Sequence, residues 1–199
     1  MFSPLTETIH GVMEFTWPMV FISIVIIASL RITYLFKNKE KFILYKELLM
    51  LAFIIYILCL FQVVTFQDVI SFSSNNFIPF KEILRYDIGS RLFFKNVLGN
   101  MILFFPYGFF VGYYLKLDKK RSACFLILTA SIAIECMQLA IGRVFDVDDI
   151  LLNLVGGMSG FLLFNLLDKI GSFIPMIFQK EWFLNILSII ALGLIIAIL

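Results

Sequence analysis

The residues of this chain that could do chemistry gather in its second half. Glu135, Asp146, Asp148 and Asp149 carry carboxyls, Arg91 and Arg143 guanidiniums, and Asn96, Asn100, Gln138 and Asn153 amides. Most lie within or beside long apolar runs, where an ionisable group is costly and is a functional candidate by default. Glu135, below the membrane surface, suits a catalytic general acid or base. The planar forks of Arg91 and Arg143 suit a phosphate or carboxylate on a bound substrate. Asp146 and Asp149 present hard oxygen donors, which suit a divalent metal cation such as Mg²⁺ or Ca²⁺. Asn96, Asn100, Gln138 and Asn153 are placed to orient substrate by hydrogen bonds.

The elements that position these groups are membrane helices. The chain has 199 residues, 61% hydrophobic and 15% charged, with 24 phenylalanines. A soluble domain of this size cannot hide so much apolar surface, so lipid is its natural solvent. A spanning helix needs about 20 mostly apolar residues. Six windows qualify, near 17–36, 47–66, 94–115, 122–141, 149–167 and 182–199. The expected fold is an all-α polytopic membrane helix bundle of about six transmembrane helices, a single membrane domain over 1–199. The first 16 residues lack a basic n-region and include Glu7 and Glu14, so insertion is expected to start from the first membrane helix.

Helical spacing brings the polar groups together. Asn96, Asn100, Leu103 and Tyr107 share one face of the third span. Ser131, Glu135, Gln138 and Gly142 form a stripe on the fourth, and Asp146, Asp149, Asn153, Gly157 and Gly160 one on the fifth if that helix begins near 146. Depth agrees with direction. At helical rise, Glu135 lies roughly 10 Å along its helix from the 142–148 loop, and Asn100 and Asn153 roughly 6–9 Å in from the same membrane face. Arg91, Arg143, Asp146, Asp148 and Asp149 then rim the mouth.

Orientation follows Lys and Arg in short loops. Lys37, Lys39, Lys41, Lys46, Lys116, Lys119, Lys120, Arg121, Lys169 and Lys180 fall on one side, against Lys81, Arg85, Arg91, Lys95 and Arg143 on the other. The richer side is expected to be cytoplasmic, which puts both termini and the polar ring on the extracytoplasmic side of a multi-pass cell-membrane protein. Arg31 is expected to snorkel from the first span. The long connection over 67–93 reads as an interfacial loop with a short amphipathic helix over 80–88.

Each feature also has a plain structural account. Glu135 pairs with an arginine to hold helices together, and amides act as interhelical glue. Asp148 lies off the polar stripe and suits the N-cap of the fifth span. The GGMSG run, with Gly156 and Gly160 in GxxxG spacing, suits close helix contact, and Pro106 suits a kink. Cys59, Cys124 and Cys136 have no metal or disulfide spacing, and His10 stands alone near the N-terminus. A net charge of +2 gives no field for nucleic acid.

Three blocks in order carry a family resemblance: NFIPF at 76–80, NVLGNMILFFPYGFFVG at 96–112 and SIAIECMQLAIGRVFDVDDILLNLVGGMSG at 131–160. Over about 76–167 the chain resembles the VanZ-like family. The resemblance implies a cell-envelope role and an association with resistance to the glycopeptide teicoplanin, without implying a reaction. Three functions follow as expectations. The first is an extracytoplasmic site that binds or modifies an anionic amphiphile, such as a lipid-linked wall precursor or a lipoglycopeptide. The second is a non-enzymatic shield or partner protein that limits antibiotic access, its polar ring structural. The third is a transporter, disfavoured because there is no inverted repeat and the polar groups gather at one end and not at the midplane.

Overall fold

The structure is a computed structural model and describes residues 3–66, 75–117, 119–171 and 180–198, with side chains described from residue 17 and up to residue 190. Within these residues it is helical: α1 (Ser3–Asn38), α2 (Leu44–Phe66), α3 (Arg91–Leu115), α4 (Lys120–Ala140), α5 (Val147–Gly171) and α6 (Glu181–Ile198). Five of them, α1 from Trp17 onward and α2 to α5, are long and apolar enough to cross a membrane. The sixth window coincides with α6, whose stretch Glu181–Ile190 forms a shorter apolar helix. The start of the 67–93 connection, 67–74, lies outside the described residues, as do the side chains of Glu7, His10 and Glu14.

The chain forms two compact units: Met1–Cys59 with Lys169–Leu199, and Leu60–Asp168. In the first, Phe21, Ile22, Val25, Ile26 and Leu30 of α1 are exposed, as helix faces turned to lipid are. The Arg31 guanidinium forks onto Glu47 of α2 with two 2.9 Å bonds, a bidentate charge-assisted pair. Asn185 of α6 accepts the Tyr45 N–H at 3.0 Å, closing one of the free donors in the first turn of α2.

The second unit holds the polar residues, on a frame set by glycines. A Cβ at Gly156 would overlap the backbone of Met101, one at Gly160 that of Phe105, and one at Gly108 that of Gly157. The GxxxG seam of α5 therefore lies directly against α3, and Gly157 faces Ile127 of α4. Beneath this contact Val111, Ala123 and Phe161 form a buried cluster, flanked by Tyr107, Leu117, Leu126 and Met158.

One irregularity in α3 matters for the site. Ser90 caps the helix, its Oγ accepting the Phe93 N–H at 3.1 Å. The backbone then widens into a π-turn over Phe94–Leu98 before resuming α geometry at Gly99. A π-turn adds a residue to the turn and rotates everything before it relative to everything after it.

Candidate functional site

The loop between α4 and α5 builds the rim. Gly142, at φ +84°, ends α4 in the left-handed region open to glycine. Its N–H reaches Leu139 O at 3.1 Å, and the next N–H, of Arg143, reaches Gln138 O at 2.9 Å. This paired closure of the helix end folds the chain back on itself. Arg143 thereby returns over the end of α4, donating through Nη1 to Gln138 at 3.2 Å and to the carbonyl of Val64 in α2. Gln138 in turn donates to Glu135 Oε1 at 2.9 Å.

Asp146, and not Asp148, caps α5. Its Oδ1 accepts the Asp148 N–H at 2.8 Å, the second backbone donor of the helix, and also the Asn76 side-chain amide at 2.8 Å. Its own N–H donates to Glu135 Oε2 at 3.0 Å. Burial pushes the Asp146 carboxyl above the ordinary carboxylate range, opposed by the two bonds it accepts. Asp148, 1% exposed, is spent elsewhere: its carboxylate accepts the N–H groups of Phe80, Glu82 at 2.7 Å and Ile83 at 3.1 Å. The expected amphipathic helix over 80–88 is thus a single tight turn, Ile83–Arg85, gathered around this carboxylate.

The NFIPF segment is pinned to the same loop. Asn76 N–H donates to Phe145 O at 2.8 Å, Val147 N–H to Asn76 O at 3.0 Å, and Phe77 stacks on Phe145 at 5.5 Å between ring centres. Asn75 Oδ1 accepts the Phe145 N–H at 3.0 Å.

Inside this rim is a cavity of about 40 Å³. Asn100, Leu103 and Phe104 of α3, Ile134, Glu135 and Gln138 of α4, and Asp149 and Asn153 of α5 line it, with Arg143 from the rim. The three helices thus bring their polar residues to one place, as their spacing predicts. Asn100 donates to Asp149 Oδ1, and Asn153 to Ser131 Oγ at 3.0 Å. Ser131 and Glu135 are at most 1% exposed.

Two of the expected members stand apart. Arg91 is exposed, in the first turn of α3, and does not line the cavity. Asn96 falls inside the π-turn, which rotates it off the Asn100 face, and it meets the Tyr86 hydroxyl instead. Burial and the neighbouring Glu82 push that hydroxyl up from its ordinary value. The fourth wall was not anticipated. Leu60, Val63 and Val64 of α2 close the cavity, and Gln62 of the same helix is 4% exposed. Apolar wall residues carry no sequence signal, whereas a glutamine inside a spanning window did. Among the described residues no group of three or more His, Cys, Asp or Glu is arranged to hold a metal ion.

A multi-pass helical membrane protein with a small polar cavity near one end of three spans is the class that fold and site define. Within it, the chain belongs to the VanZ/LLP1 family, whose match covers residues 48–168, more than half its length and all of the cavity's polar lining. No curated protein and no solved structure matches it.

Proposed function

We propose that this protein acts in the cell envelope by holding, and acting on, the head group of an amphiphile at this cavity, with Glu135 as the acid or base. The amphiphile is a lipid-linked wall precursor or a lipoglycopeptide such as teicoplanin. The observation that carries the reading is convergence: three separate helices commit Asn100, Glu135, Gln138, Asp149 and Asn153 to one cavity, although each polar group costs insertion energy. Arg143 at the rim, and Arg91 on the exposed turn of α3, are the groups for the anionic part of the ligand. Asp146 and Asp149 orient the pocket through their bonds to Asn76 and Asn100. The reading places the site and both termini on the extracytoplasmic side, from the loop charge bias. Glu135→Gln, at unchanged membrane level, should lose any teicoplanin tolerance the wild type confers; full tolerance in that variant sinks the reading.

A second reading, a shield or partner protein whose ring is structural, is favoured by the bonding of the rim itself. Both Asp146 and Asp148 are occupied by bonds within the chain. Under it, tolerance tracks the folded level of each ring variant and nothing else.

A further inference from the structure

The cavity's own atoms narrow what it takes, an inference that rests on the head-group reading above. Much of its hydrogen-bonding capacity is spent within the chain. Arg143 Nη1 is engaged by Val64 O and the Gln138 amide, and that amide donates to Glu135 Oε1. Glu135 Oε2 is filled by the Asp146 N–H. Asp149 accepts a bond at Oδ1 from one of the two N–H groups of the Asn100 amide, which leaves Asp149 Oδ2 and Asn100 Oδ1 as acceptors among the described residues.

Charge points the same way. Two carboxyls, Glu135 and Asp149, line the cavity against the single guanidinium of Arg143. An entering cation meets two carboxyl partners there against one competing guanidinium, and an entering anion meets the reverse, at a depth where screening is weak. Size is the third constraint. A water site needs about 10–15 Å³ on this measure, so a 40 Å³ cavity holds roughly three water-sized groups. A primary ammonium is water-sized and carries three N–H donors. A phosphate has about five heavy atoms and a trimethylammonium about four, and the latter has no N–H.

We propose that the cavity is a binding site for a primary ammonium group of an envelope amphiphile, held by Asp149 and Asn100, with the anionic part of the same head group left outside at the rim. The ligand class is then an amine-bearing zwitterion and not a simple anion. The ammonium N–H groups donate to Asp149 Oδ2 and Asn100 Oδ1, and no covalent step is involved.

The full chain, purified in detergent, is titrated with dihexanoyl phosphatidylethanolamine, phosphatidylcholine and phosphatidylglycerol and with free ethanolamine, reading bound mass by native mass spectrometry and the shift in melting temperature. Phosphatidylethanolamine should bind at least 10-fold tighter than phosphatidylcholine, which differs in the ammonium alone. Binding by free ethanolamine as well would assign the site to the amine itself, and its absence would assign it to the lipid head group. Asp149→Asn should remove the preference; Leu103→Phe, which fills the cavity without changing charge, should remove it too and serves if the first variant does not fold. Equal binding of the ethanolamine and choline lipids, tighter binding of phosphatidylglycerol, or no binding by any of them overturns the inference. Tighter phosphatidylglycerol binding would leave the anionic head-group reading standing, which the Glu135→Gln phenotype tests separately.

Discussion

The Asn76 amide donates to Asp146 Oδ1 at 2.8 Å across 70 residues of chain. That same oxygen caps α5, and the Asp146 N–H holds Glu135. One contact thus ties the NFIPF segment, the start of α5 and the buried carboxyl of α4 into a single hydrogen-bonded unit. Truncating Asn76 to alanine removes a charge-assisted bond and should cost about 1.5–3 kcal/mol. A double-mutant cycle with Asp146→Ala should return a coupling energy of about 1 kcal/mol or more. Strict additivity in chemical or thermal unfolding would show that the two residues do not act together.

Asp148 should be the most sensitive of the rim carboxyls. Replacing it with alanine strands three backbone N–H groups in a buried setting, and the loss should reach about 3 kcal/mol or more. Asp148→Asn keeps one acceptor oxygen and should lose less. Hydrogen exchange at Phe80, Glu82 and Ile83 reads the effect directly: protection there should fall before that of α3.

The glycine seam gives a steric prediction. Gly156→Ala and Gly160→Ala place a methyl into the backbone of α3, so the helices must separate and the variants should fail to reach a monodisperse folded state in detergent. Gly99→Ala is the control, since its new methyl would meet nothing nearer than 3.7 Å. Equal behaviour of the three variants would contradict the close contact of α3 and α5.

Asp146 makes stability depend on pH in a stated direction. Its carboxyl is held above the ordinary aspartate value of 3.8 by burial, so the folded state binds its proton more tightly than the unfolded chain. By linkage, this group's contribution favours folding at low pH. It is lost as pH rises from near 3.8 through the raised folded value. Asp146→Asn keeps an acceptor oxygen without the titration. The melting temperature of the variant minus that of the wild type should therefore rise with pH over the acidic range and then level off. A difference that falls with pH would show the sign to be reversed.

Much of the site was legible because membrane helices obey two simple regularities, a period of 3.6 residues and a fixed rise. Spacing alone brought Asn100, Glu135, Gln138, Asp149 and Asn153 to one face and depth, and the cavity contains all five. What spacing missed were departures from regular helix. The π-turn over Phe94–Leu98 moved Asn96 away from Asn100, although an unbroken helix would have kept them one turn apart. Asp148 reads as a cap for its own helix, because the free N–H groups of a helix start are the nearest partners in sequence. Its actual partners lie 65–68 residues away.

The sequence by itself determined that this is a bundle of membrane helices, which stripes are polar and that three of them share a depth. These properties follow from composition and local periodicity, and need no knowledge of neighbours. Tertiary structure alone decided which hydrogen-bonding atoms of that set are spent and which remain. Asp146 and Asp148 are consumed in pinning the 76–83 segment, whereas Asp149 keeps an acceptor oxygen beside a cavity that α2 closes. Hydrogen bonding is short-ranged and directional, so the residue type states only what a group can do. Its neighbours in space decide what it has left to offer.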